Sequence, residues 1–406
     1  MENPLEVLIR AEIAARGPLT FARFMELALY HPQWGYYAGG GEGREPVGWR
    51  GDYFTSVDVH PLWGRCLAAQ LHQMWELLGR PDPFAVVEPG AGRGLLARDV
   101  WAYALEHTPE WAATLCYALV ERLPPGAPLR TQREEELARA LAALGAPAQH
   151  TRWVASLAEA APTGMVGCVV ANELVDALPV HRVEARAGAL HEVYVDVGAQ
   201  GLVERLGPPS RPEVADYLDH FRIPWRGYAD GWRAEICLAA LDWMREVAGA
   251  LTRGFVLTID YGDTARRLYS RHRRHGTLAV YTRHRLGERP LAHPGSQDLT
   301  AHVNLTALVE AGRGTGLRLA GLTTQRALLE RLGIRAQTEA LAARLYPAAD
   351  SERHTDRGQA DYLRRAALRG AVATLLAPEG LGGFRVLAQQ RGVPGAGRRL
   401  IGLIDG

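Results

Sequence analysis

The sequence contains no lysine. All 46 basic residues are arginine, which excludes mechanisms built on a side-chain amine: no Schiff base, no phosphate-loop lysine, no catalytic lysine pair. Cysteine is scarce as well. Cys66, Cys116, Cys168 and Cys237 stand far apart with no CxxC spacing, so they read as small buried hydrophobes in a reducing compartment, not as a zinc site or disulfide framework. The 14 histidines form no HExxH motif or paired spacing, and no metal is expected. The net charge is +1, too small to favour nucleic acid or an anionic membrane as partner. No apolar run approaches the roughly 20 residues that span a bilayer. Glu2, Glu6 and Glu12 make the N-terminus unlike a signal or transit peptide. The default expectation is a cytoplasmic protein, with its oligomeric state left open.

What is present is a core-forming composition, 47% apolar and 22% charged, over 406 residues. That length exceeds one ordinary domain and predicts a catalytic domain with large insertions. Residues 1–80 read as an N-terminal helical subdomain with a lid. Leu5, Leu8, Ile9 and Ile13 share one helical face, Thr20 can cap a second helix, and a third runs from about Pro61 to Gly79. Between them, the Gly- and aromatic-rich segment 31–51 predicts a loop in which Trp34, Tyr36 and Tyr37 either close over a ligand or anchor the chain.

From residue 84 apolar strands alternate with helix-length segments: 84–88, 116–121, 150–156, 167–171 and 255–260, with 317–324 and 384–390 as the last two. This rhythm predicts an α/β fold, a doubly wound Rossmann-like sheet with helices on both faces. Residues 81–324 form its core, carrying a β-meander insertion at about 180–232. A helical insertion follows at 325–380, and 381–406 supply C-terminal strands of the core. Both insertions are expected to lie over the sheet and shape a substrate pocket at the strand C-termini.

The sharpest motif is Glu88-Pro89-Gly90-Ala91-Gly92-Arg93-Gly94, after a strand and before a helix. Alternate glycines let the backbone turn tightly and approach a ligand closely. A dinucleotide fold spaces its glycines G-x-G-x-x-G to seat a pyrophosphate. The G-x-G-x-G spacing with an acidic strand end fits instead a cofactor bearing an amino acid and a sulfonium, S-adenosylmethionine. Glu121 ends the next strand, where a carboxylate accepts hydrogen bonds from both ribose hydroxyls. Ser156 and Leu157, past the third strand, are placed to contact adenine. Glu88, Gly90, Ala91, Gly92, Glu121, Ser156 and Leu157 are the cofactor candidates.

After the fourth strand, Asn172, Glu173 and Asp176 fall within five positions, so one tight turn can aim them at a common point. Carboxylates suit a guanidinium acceptor, which they bind bidentately and whose lost proton they can take. The alternative is that Glu173 and Asp176 only cap the following turn. Asp260 and Tyr261 could line the same crevice or hold a strand end. Thr300 and Asn304 read as helix caps; Asp298, His302 and His284 stay open. The basic run 271–275 reads as a solvated loop.

The segments 28–40, 51–56 (GDYFTS), 87–94, 171–182 (ANELVDALPVHR), 259–262, 294–304 and 328–334 resemble, in order, the MidA-like methyltransferase family. The resemblance spans nearly the whole chain. It implies a class I methyltransferase fold, S-adenosylmethionine as methyl donor, and a protein arginine as acceptor, since the family includes a mitochondrial complex I assembly factor with that activity. It implies cofactor contacts at Gly90, Gly92 and Glu121, a lid containing Gly51, Asp52 and Thr55, and an acceptor side at Asn172, Glu173 and Asp176. Ala91 departs from the family's usual proline. Leu174 and Val175 replace paired phenylalanines, giving an aliphatic wall that keeps a small-molecule acceptor open. A non-enzymatic assembly chaperone retaining the pocket is the remaining alternative.

Overall fold

The computed structural model describes residues 3–40, 45–49, 51–282, 285–394 and 399–403; His284 lies outside them. Each end of the N-terminal helices is set by local chemistry. Asn3 accepts hydrogen bonds from the N–H groups of Leu5 and Glu6 to start α1 (Pro4–Arg16), and Thr20 accepts from Arg23 to start α2 (Phe21–Tyr30). Their apolar faces meet each other and the inserted β-structure around Leu5, Phe21, Phe24, Val195 and Leu299. The next helix, α3 (Leu62–Leu77), behaves differently. It packs into the main core with Trp63, Cys66, Leu67 and Leu71 against the sheet. In packing, residues 1–80 are therefore split: two helices face the insertions and the third is a core helix.

The alternating segments build β1 (Phe84–Pro89), α4 (Leu95–His107), β2 (Leu115–Val120), α5 (Pro128–Leu144), β3 (Thr151–Val154) and β4 (Met165–Asn172). An antiparallel insertion follows: β5 (His181–Arg186), β6 (Ala189–Gly198), β7 (Gly201–Gly207), α6 (Pro212–His220) and β8 (Trp232–Ile236). The chain returns through α7 (Leu238–Ala250) and β9 (Leu251–Asp260). A second small β-insertion then holds β10 (Ala279–Thr282), β11 (Arg285–Gly287) and β12 (Asp298–Thr300). Strands this short carry too little alternation to be read from sequence. The core closes with α8 (Leu305–Gly314), β13 (Arg318–Thr324), three helices α9 (Gln325–Arg331), α10 (Ile334–Leu345) and α11 (Asp356–Leu376), and β14 (Arg385–Arg391). Residues 381–406 thus contribute one described strand to the core, where more than one was expected.

The sheet has seven strands in the order β13-β14-β9-β4-β1-β2-β3. Six run in one direction, and β14 alone runs antiparallel, to both β9 and β13. Val86, Cys168, Phe255 and Leu257 point to one face, covered by α3, α4 and the 325–376 helices; Val87, Val169 and Val256 point to the other, covered by α7 and α8. The strand order reverses between β1 and β4, which opens a crevice at their C-terminal ends. Among the described residues no helix is long and apolar enough to cross a membrane.

Candidate active site

The crevice is a cavity of about 340 Å³, within the size range of small-molecule sites. One wall is the glycine turn. Gly90 (φ 70°) and Gly92 (φ 56°) occupy the left-handed region, and the Gly90 N–H donates to the Val120 carbonyl. A Cβ at Gly92 would enter open space, and one at Gly90 would meet the end of Leu174 at 2.8 Å. Glu88 lines the cavity beneath the turn and accepts from the Tyr117 hydroxyl at 2.7 Å; burial pushes its carboxyl up to about 8. Glu121, Ser156 and Leu157 form the adjoining wall, and Ser156 also caps the short helix Leu157–Ala160.

The opposite wall carries Asn172, Glu173 and Leu174. Glu173 holds a left-handed backbone (φ 49°), an uncommon conformation for a side chain of its size, fixed by its N–H donating to the Ile259 carbonyl. Its Oε1 accepts from the Ser56 N–H at 2.8 Å and from Asn172 Nδ2 at 3.3 Å. Desolvation raises its carboxyl to about 8. Asp176 is not at this wall. The 3-10 turn Val175–Ala177 rolls it inward, because the N–H groups of Val175 and Asp176 both donate to Asp260 Oδ2. The three residues after β4 therefore do not converge on one point: two face the cavity and Asp176 lies behind them. Asp260, taking a third bond from the Tyr261 N–H, holds the strand end.

The GDYFTS segment divides likewise. Thr55 lines the cavity and starts the helix Ser56–Val59 through a capping box with Asp58. Gly51 and Asp52 do not line it. A Cβ on Gly51 would lie 2.3 Å from the Pro46 carbonyl oxygen, and the Asp52 N–H donates to that same carbonyl. They build the turn that presents Tyr53 and Thr55. Nor do residues 180–232 or 325–380 line the cavity. The apolar faces of the first are consumed against α1, α2 and α6, and those of the second against α3 and the sheet.

One end of the cavity is instead closed by tyrosines. Tyr30, Tyr37 and Tyr53 line it. Tyr37 donates to Asp298 Oδ1 at 3.0 Å and lies 3.4 Å from the Tyr53 hydroxyl. Asp298 is buried, and burial, then the charge of Asp176, push its carboxyl up to about 8. Asp176 is raised to about 6, chiefly by burial. Tyr36 is buried with its hydroxyl on the Pro46 carbonyl, and Trp34 stacks on His31, so of the three loop aromatics only Tyr37 reaches the cavity. His302 packs edge-on to Tyr261 and does not line the cavity. Asn304 caps α8 as expected, whereas Thr300 belongs to β12 and caps nothing. Four of the residues in run 271–275 are exposed.

Glu45, Asp58 and Arg133 line the cavity without having carried a motif. They join its walls by ion pairs, Arg133 with Glu45 and Glu121, and Asp58 with Arg93 of the glycine turn. Among the described residues no group of His, Cys, Asp and Glu is arranged to hold a metal ion.

Comparison with known proteins decides what this crevice serves. The family model for S-adenosyl-L-methionine-dependent methyltransferases matches residues 66–323. A Drosophila melanogaster protein named protein arginine methyltransferase NDUFAF7 homolog, mitochondrial, is 30% identical over 368 residues, 84% of this chain and 77% of that protein. The Homo sapiens protein arginine methyltransferase NDUFAF7 is 25% identical, over 82% and 75%. The chain belongs to this methyltransferase family. A crystal structure from Burkholderia thailandensis bound to S-adenosyl-homocysteine is 32% identical to the methyltransferase, covers 99% of it and 95% of that chain, and superposes with a TM-score of 0.83. S-adenosylmethionine is accordingly the cofactor. The site fits it: the glycine turn leaves space no Cβ fills, and Asn172 Oδ1 is buried without a partner among the described residues.

Proposed function

We propose that this methyltransferase transfers a methyl group to an arginine side chain of a protein. The observation that carries this reading is the carboxyl of Glu173 on the cavity wall, raised by burial, with the Asp298 carboxyl behind the Tyr37 hydroxyl raised likewise and its Oδ2 buried with no hydrogen-bond partner among the described residues. Desolvated carboxyls of this kind await a cation, because an opposite charge is what restores their ionised form. A guanidinium supplies that charge with donors in a planar fork. The names of the relatives support a protein arginine.

When bound, the cofactor supplies an electrophilic methyl on a sulfonium sulfur. Gly90, Gly92 and Glu121 would hold it, with Ser156 and Leu157 beside its base. Glu173 would grip the guanidinium nitrogens that do not react, orient the third, and receive the proton lost from it. Leu174 and the tyrosine wall would keep water from the reacting atoms. Leu174 also favours a second reading, a small apolar acceptor. A cytoplasmic location belongs to the same proposal; its support is four free thiols, while the relatives' names place those proteins in mitochondria.

Incubation with methyl-labelled donor and host extract tests the acceptor. Acid hydrolysis of the protein fraction should release labelled methylarginine. Label confined to low-mass compounds would support the second reading, and no transfer would sink both.

A further inference from the structure

Arg133 lies on the buried side of α5. On α5 it shares a helical face with Arg130, Leu137 and Leu141, all buried. Leu137 and Leu141 enter the main core, and Arg130 reaches the Leu123 carbonyl and Glu134. Arg133 instead turns to the cavity, its side chain only 4% exposed. A buried cation is costly unless paired. Here the pairing is double: Nε and Nη2 form a fork on the Glu45 carboxylate at 2.9 and 2.8 Å, and Nη1 reaches Glu121 Oε2 at 3.1 Å. All three residues line the cavity.

We propose that Arg133 is a positioning residue for methyl transfer, setting the Glu121 carboxylate for the cofactor's ribose. Glu45 anchors the far side of the fork, so the guanidinium is held from both ends. The inference rests on Glu121 as the ribose contact.

The chemistry is specific. Only an ionised carboxylate accepts a hydrogen bond from each of two ribose hydroxyls while its other lone pairs stay engaged. Glu121 Oε1 already accepts from the Arg122 N–H at 3.0 Å. Burial disfavours its charge and Arg133 is the largest influence opposing that; Glu45 adds to the rise. The other ionisable groups near this pair are Arg122, Tyr30 and Tyr53. The Arg122 guanidinium stacks over the Tyr30 ring and, among the described residues, forms no ion pair with Glu121, so it does not replace the contact made by Arg133. Without Arg133, the carboxylates of Glu45 and Glu121 would face the cavity with no shared cation, and Glu121 would take up a proton at a higher pH.

The test is calorimetric titration of the full chain with S-adenosylhomocysteine between pH 6 and pH 8.5. Arg133→Met is expected to bind about tenfold or more weakly at pH 6, the ratio to wild type narrowing toward pH 8.5 as Glu121 ionises. Glu45→Gln leaves Arg133 wholly to Glu121, so its affinity falls toward acid no more steeply than that of wild type. Adding Arg133→Gln to Glu121→Gln changes affinity by less than about threefold if Arg133 acts through Glu121. A loss independent of pH, no loss, or a steeper acid fall in Glu45→Gln would overturn the assignment. Should both Arg133 variants fail to fold, the Glu45→Gln profile decides alone. Wild type that binds no S-adenosylhomocysteine would sink the cofactor site itself, a different result from wild type that binds beside an unaffected Arg133→Met.

Discussion

The backbone N–H of Ser56 donates to Oε1 of Glu173 at 2.8 Å across 117 positions of sequence. Ser56 follows Tyr53 and Thr55, which line the cavity, so the N-terminal loop and the turn after β4 are joined at the Glu173 carboxylate, itself a lining group. Removing the charge of Glu173 while keeping its shape separates these roles.

Glu173→Gln retains an oxygen for the Ser56 N–H, so the fold and the cofactor wall should survive. Affinity for S-adenosylhomocysteine is expected within about threefold of wild type, while kcat falls by about a hundredfold or more, the scale of losing a positioned acid–base group. Calorimetry and labelled-methyl turnover read the two effects. Unchanged kcat would remove Glu173 from the acceptor side.

The pH dependence follows from the same carboxyls. Glu173 is raised to about 8 and Asp176 to about 6. In the free enzyme, Glu173 is thus mostly protonated below about pH 8 and must ionise before it can grip a cation. The kcat/KM for the acceptor should rise with pH from about 6 through 8 and level off only above about 9, because this parameter reports free-enzyme ionisations. A profile flat from pH 6 to pH 9 would contradict it.

Much of this was legible because periodicity and glycine spacing are local signals. The turn at Gly90–Gly92, Glu121 at its strand end, the Thr20 cap and the meander after β4 all follow from neighbours in sequence. The antiparallel course of β14 does not, since alternation reads alike in either direction. Asp176 was misplaced because its bonds run to Asp260, 84 positions away. Arg133 lay hidden in TQREEELARA, where any arginine reads as a solvated helix face; its partner Glu45 lies 88 positions earlier. Asp298 carried a motif, yet nothing local announced that Tyr37 would meet it.

Asp298 should trade stability for function. Its carboxyl is raised in the folded state to about 8 from an ordinary 3.8. Between those values the folded protein holds a proton the unfolded chain has released, so stability falls as pH rises through the window. Asp298→Asn removes the titration. Its melting temperature relative to wild type should increase from pH 4.5 to pH 8.5. Differential scanning fluorimetry at the two pH values reads this, and a difference that shrinks toward pH 8.5 would refute it.

Gly90→Ala adds a methyl in a left-handed conformation, costing about 1–2 kcal/mol, and forces the end of Leu174 aside. Stability and cofactor affinity should both fall, affinity by about tenfold, equivalent to about 1.4 kcal/mol. Adding Leu174→Ala relieves the contact but not the backbone, so affinity should recover more than melting temperature.

A crystal structure of the chain with S-adenosylhomocysteine tests the central claim most directly. The ribose hydroxyls are expected within hydrogen-bond distance of Glu121, the amino-acid end against Gly90 and Gly92, and the sulfur facing Asn172 and Glu173. A nucleoside bound elsewhere, or seated in the crevice with its ribose turned away from Glu121, would contradict the account.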